Sequence, residues 1–231
     1  MEETKKTNKF LEFLRSKGVS LSPKLYFVDA MGAMALGLFA TLLIGTIFGT
    51  VTSYIPEGNV FHSFFMNMTT YAKGATGVVL GIAIANALKA PPLVLLSAGV
   101  VGMCANALPF VYLEKAITAG PAGAFVCVLI AVEIGKLVSK ATKVDIIVTP
   151  AVTIGTGVLI AMLLCPAIAF LMYWLGYFIN YATDMAPVIM GILLSVIVGM
   201  VLTLPISSAA ICSMIGITGI AGGAAAVGCC A

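Results

Sequence analysis

The sequence is short of charge. Charged side chains make up 9% of its 231 residues and hydrophobic types 61%, against about 25% charged in an ordinary soluble domain. A soluble fold needs a polar shell, and this composition does not supply one. Histidine occurs once, as His62, with no cysteine or carboxylate cluster near it. That argues against a His/Cys metal site and leaves no credible cytoplasmic phosphoryl acceptor. No Walker loop, GxSxG, HExxH or Rossmann fingerprint is present, so the chemistries those motifs carry are not expected. No residue is assigned a catalytic role, and no metal, cofactor or nucleic acid is expected. The six cysteines (Cys104, Cys127, Cys165, Cys212, Cys229 and Cys230) lie in apolar stretches without CxxC spacing. They read as small buried side chains. A cleavable signal is also missing, because residues 1–28 are charged throughout and carry no small-residue cleavage site.

What the sequence does have is a series of apolar runs of about 20 residues, the length a helix needs to cross hydrocarbon. They do not alternate as the strands of a membrane barrel do. The expected fold is an all-α polytopic integral membrane protein with about seven transmembrane helices, some broken or re-entrant. The spans are placed at 29–54, 64–88, 92–111, 120–138, 146–177, 185–204 and 206 to the end. The fifth is too long for one straight helix, and Pro150 and Pro166 are expected to break or tilt it. Residues 1–28 form a cytoplasmic or interfacial segment and residues 29–231 the transmembrane domain. Within the first, Phe10, Leu11 and Leu14 share one side of a helix over residues 5–17, with basic residues elsewhere, the pattern of a helix lying in the interface. A short soluble amphipathic tail is the alternative. Ser22-Pro23 ends the segment, and Lys24 and Tyr26 mark the interface.

The placement of charge orients the chain. Six of the twelve basic residues precede the first span. Lys89 follows the second span, and Lys136, Lys140 and Lys143 follow the fourth. The other side receives Glu57, Glu114, Lys115 and Asp184, with Lys73 near a helix end. The positive-inside rule then puts the N-terminus in the cytoplasm.

Glycine, at 24 residues, recurs at helix-packing spacing in Gly45/Gly49, Gly77/Gly81 and Gly191, Ser195, Gly199. A weak internal repeat also shows. Thr70-Tyr71-Ala72-Lys73 and Asn180-Tyr181-Ala182-Thr183 each begin a span, Gly81 and Gly191 share their offset, and Asp29 and Asp145 open spans one and five. Spans 1–3 would correspond to spans 5–7 as a parallel repeat, an arrangement found in transporter folds. The competing reading is that apolar segments resemble each other anyway.

Polar side chains in hydrocarbon are costly and call for a reason. Glu133, inside span four, is either an i,i+3 partner of Lys136 near the inner interface or a polar group on a solute pathway. Asn86 and Asn106 lie beside Pro91-Pro92 and Pro109, where helices stop in or near the membrane. They either line a cavity or hydrogen-bond between helices. The stretch 216–223, with Thr218 and Gly219 at its centre, holds four glycines in eight residues and makes a poor continuous helix. It is either an unwound segment offering backbone amides to a ligand or a tightly packed small-residue helix.

Leu21-Ser22-Pro23-Lys24 leading into Asp29-Ala30-Met31-Gly32-Ala33-Met34-Ala35-Leu36-Gly37-Leu38-Phe39, then Glu133-Ile134-Gly135-Lys136, then Gly216-Ile217-Thr218-Gly219, resemble enzyme IIC. That is the membrane subunit of bacterial phosphoenolpyruvate-dependent sugar phosphotransferase systems, and the likeness is to the divergent branch that includes perfringolysin-regulator-like membrane proteins. The resemblance implies a bacterial plasma-membrane permease moving a small polar solute, a carbohydrate, between repeats. It also implies a separate cytoplasmic IIB phosphocarrier and a homodimer. Glucose-type relatives carry Gly-Ile-Thr-Glu, whose Glu binds sugar. Here that position is Gly219. The branch is also longer, so the chain is expected to stop before its last helices. Glu133, Asn86, Asn106, Thr218 and Gly219 are the expected solute contacts. A transport-inactive regulator or sensor with the same fold is the alternative, favoured by the missing Glu. A channel is disfavoured because no ring-forming polar face is evident.

Overall fold

The computed structural model describes residues 22–112, 115–141 and 144–186, together with 188–189, 191–193 and 195–196. The first helix, α1, runs Leu25–Ser53, with π-helical turns at Leu25–Ala30 and Phe39–Leu43. Its threonines turn their hydroxyls back onto the helix: Thr41 donates to the Gly37 carbonyl and Thr52 to the Phe48 carbonyl, both at 2.8 Å. A hydroxyl satisfied within its own helix can sit in hydrocarbon.

The second span is a bent pair. Asn59 caps α2 (Val60–Gly74) by accepting the Phe61 N–H at 3.2 Å. After Ala75, α3 (Thr76–Ala87) departs at 45°. Next, α4 (Pro92–Ala107) starts with proline in its first turn, where the missing N–H would have no partner anyway.

The third span was expected to reach Val111, and the structure shortens it. Pro109 forces Leu108 into an extended conformation, with ψ 113°. The chain then forms an antiparallel hairpin of β1 (Pro109–Tyr112) and β2 (Lys115–Thr118), with Phe110 opposite Ile117. This hairpin is a small departure from an all-helical fold. Its strands pair with each other where the helix has stopped.

The fourth span is found as expected, as α5 (Gly120–Val138). The fifth differs. No break occurs, and α6 (Asp145–Met185) is one continuous helix through both Pro150 and Pro166. An ended helix inside lipid would leave several backbone groups unsatisfied, whereas a proline removes one hydrogen bond. Asp29 also lies inside α1, whereas Asp145 does open α6.

Among the described residues, α1, α5 and α6 are long and apolar enough to cross a membrane, and the bent α2–α3 pair makes a fourth if counted as one span. Seven spans are therefore not reached there. The interfacial helix at 5–17, most of the sixth span, the seventh span and the 216–223 stretch lie outside the described residues, so only the first span of the second repeat copy is described in full.

Helices α3 through α6 pack antiparallel in succession around a core that includes the small side chains of Ala85, Ala98, Ala105, Ala124, Ala131 and Ala161. In lipid the drive is close packing rather than water exclusion. The closest approach joins α3 to α4. A methyl group added at Gly81 would overlap the Ala98 carbonyl, and one at Gly102 would overlap the Gly77 carbonyl. Depth along α6 follows from its neighbours. Thr153 and Val94 meet at Gly135, Gly157 lies against Val101 and Ala131, and Cys165 sits beside Cys127 and the Ala105 carbonyl.

Candidate functional site

Glu133 and Lys136 sit three apart on α5 and so share a face. The Lys136 ammonium lies 3.2 Å from Glu133 Oε1, with side-chain exposures of 1% for lysine and 17% for glutamate. The structure contains the i,i+3 pair.

The sequence reading missed a third member. Tyr26, in the first turn of α1, donates its hydroxyl to the same Oε1 at 3.2 Å. Tyr26 was read only as an interface marker. The usable signal was chemical: a tyrosine at the start of a span, once buried, needs a partner for its hydroxyl. The partner lies 107 residues away and cannot be picked from spacing.

Two donors thus converge on one carboxylate oxygen. The other, Oε2, is enclosed and has no hydrogen-bond partner among the described residues. Buried polar atoms are seldom left so. An ionised carboxylate accepts only, so any partner of Oε2 would have to be a donor.

The cluster lies at the molecular end that carries the α3–α4 turn and the start of α6, since Gly135 packs on Val94 and Thr153. There the α6 start is tied down by Asp145. Its carboxylate accepts the Lys140 N–H at 2.8 Å and the Thr149 hydroxyl at 2.6 Å. Lys89 and Lys140 adopt left-handed φ of 54° and 58° as the chain leaves α3 and α5.

The remaining expected contacts are not brought together. Asn86 is exposed and lies at the cluster's end of α3. Asn106 lies at the far end of α4, where its Cβ faces Gly77. Among the described residues neither amide joins the Glu133 cluster. Thr218 and Gly219 lie outside the described residues. A groove of about 390 Å³ is lined by Met31, Phe125, Val126, Ile168, Leu171 and Met172, among other apolar side chains. It has no polar handle for a hydrophilic solute.

The family model for phosphotransferase system EIIC matches residues 28–231. Comparison with curated proteins and with solved structures finds no match.

Proposed function

The chain belongs to the phosphotransferase system EIIC family, the membrane permease components of sugar phosphotransfer systems, and from that premise we propose that it carries a small polar solute, a carbohydrate, into the cytoplasm with Glu133 as a direct contact. The observation that carries this reading is the enclosed Oε2 with no partner. A sugar hydroxyl is the donor that this atom lacks. A charge-assisted hydrogen bond of that kind is roughly twice as strong as a neutral one. Tyr26 and Lys136 hold the carboxylate through Oε1, and a solute hydroxyl reaches the enclosed Oε2 as the helices around it part.

Family membership implies a cytoplasmic IIB partner, which supplies the phosphoryl group. The protein works in the bacterial plasma membrane with its N-terminus inside, as a homodimer. On this reading the Tyr26–Glu133–Lys136 end faces the cytoplasm. Asn86 contacts solute near that end, Asn106 meets it near the other, and Thr218 and Gly219 offer backbone groups from the glycine-rich stretch. Residues 1–28 lie along the inner interface.

The test is thermal unfolding of the purified chain in detergent against sugars and sugar phosphates. A ligand held only by the folded state at 100 times its dissociation constant adds about 2.7 kcal/mol. The expected result is stabilisation by at least one sugar, lost in Glu133→Gln. The double substitution Glu133→Gln, Lys136→Met removes both charges of the pair. It should keep the unliganded midpoint near wild type and still lose the sugar response. A well-folded chain that no solute stabilises would instead support a transport-inactive regulator, the reading that Gly219 favours.

A further inference from the structure

At 41 residues, α6 is about 60 Å long at 1.5 Å per residue, twice the roughly 30 Å of bilayer hydrocarbon. Half of it must therefore leave the apolar core, and its side chains show where. From Ile146 to Leu171 the exposed large residues are aliphatic apart from Phe170: Ile146, Ile147, Leu159, Met162, Leu163 and Leu171 among them. Then aromatic rings take over: Tyr173, Trp174, Tyr177 and Tyr181 follow at helical spacing, with Leu175, Phe178 and Met185 exposed beside them, and the sequence adds Asn180, Thr183 and Asp184.

The rings form a ladder. Trp174 meets Tyr177 edge-on with centroids 5.8 Å apart, and Tyr177 stacks on Tyr181 at 6.2 Å with planes 12° apart. Tyr112, on the hairpin, packs edge-on against Phe170 at 5.2 Å and Tyr173 at 5.8 Å. The hairpin thus sits at the same depth as this part of α6. Trp174 is 46% exposed, and Tyr177 and Tyr181 are each 54% exposed.

We propose that this ladder, with Tyr112, is an interfacial anchor that seats on the phospholipid headgroup and glycerol region at the end of the molecule opposite the Glu133 cluster. Asp145 and its tie to Lys140 mark one interface, and Tyr173 and Tyr181 lie about 42 and 54 Å further along α6, so a helix tilted by about 30° sets the ladder about 36–47 Å away, across the far edge of a bilayer of 40–45 Å with its headgroups. Tyrosine and tryptophan suit that layer because each joins an apolar body to one polar tip. The anchor sets the register of α6 and carries its final turns out of the membrane. This inference rests on α6 and the hairpin alone and is independent of the transport reading.

Trp174 is the single tryptophan of the chain, so intrinsic fluorescence reports its depth alone. The full chain is reconstituted into phosphatidylcholine vesicles whose acyl chains carry bromine either close to the glycerol or near the bilayer centre. The expected result is the larger loss of fluorescence with bromine close to the glycerol. Greater loss with bromine near the bilayer centre would put Trp174 in hydrocarbon and overturn the anchor. Indifference to both lipids would place the ladder in water, on a bound carbohydrate or under another protein copy, and would overturn it equally.

Discussion

Replacing Lys136 by methionine removes the ammonium beside Glu133 Oε1 and leaves an enclosed carboxylate with the Tyr26 hydroxyl. Breaking a buried ion pair by removing one member typically costs about 3–5 kcal/mol, whereas replacing both by apolar groups of similar size is often neutral. Lys136→Met and Glu133→Gln are each expected to destabilise by about 3 kcal/mol, and the double variant by much less than their sum. Tyr26→Phe, which deletes one hydrogen bond to a charged group, is expected to cost about 1.5–3 kcal/mol. Dodecyl sulfate titration in mixed micelles, followed by circular dichroism, measures all four. Strictly additive single effects would mean that Glu133 and Lys136 are not coupled. At this scale the sequence was half legible. The i,i+3 spacing exposed the pair, because helix geometry alone brings those side chains together. Tyr26 was hidden because its contact depends on how α1 packs on α5, which no local spacing encodes. The separation of Asn86 from Asn106, by contrast, was legible: nearly all of the 16-residue α4 lies between them, about 24 Å of helix.

Helix by helix, the glycines divide into those that permit a contact and those that do not. A Cβ at Gly81 collides with backbone of α4, while one at Gly155 on α6 meets nothing within 4 Å. Backbone cannot yield as a flexible side chain can, so Gly81→Ala is expected to destabilise by about 1–3 kcal/mol, the usual range for overpacking. Gly155→Ala should be neutral or stabilising by about 0.5–1 kcal/mol, since alanine is the better helix former. The same titration separates them, and equal effects at the two sites would refute the close α3–α4 approach. Spacing did point to Gly77/Gly81 as a packing face. The span ends were less legible. Pro109 was in plain view, but hydropathy carried the third span past it because Phe110 and Val111 are apolar. The two prolines of α6 misled in the opposite direction, since a proline that would end a helix in water only perturbs one in lipid.

Across the whole molecule, composition settled the solvent, and alternation of charge supplied a direction that the antiparallel packing of α3 through α6 is compatible with. The number of crossings was not legible in the same way. The largely apolar run of 25 residues from 64 to 88 reads as one span, yet it contains a 45° bend at Ala75. Likewise α4, at 16 residues, is about 24 Å long and falls short of the roughly 30 Å core. Hydropathy windows average over such features. The crossing parity can still be tested. With the N-terminus inside, the α1–α2 connection is external and the α3–α4 turn is internal. In a background with the native cysteines replaced, Glu57→Cys should react with a membrane-impermeant maleimide in intact cells. Lys89→Cys should react only after the membrane is opened. The reverse pattern would invert the protein and put the Glu133 cluster outside, away from any cytoplasmic phosphoryl donor. Labelling of both in intact cells would mean that the bent α2–α3 pair re-enters without crossing, and the basic residues after α3 and α5 would then no longer share a side.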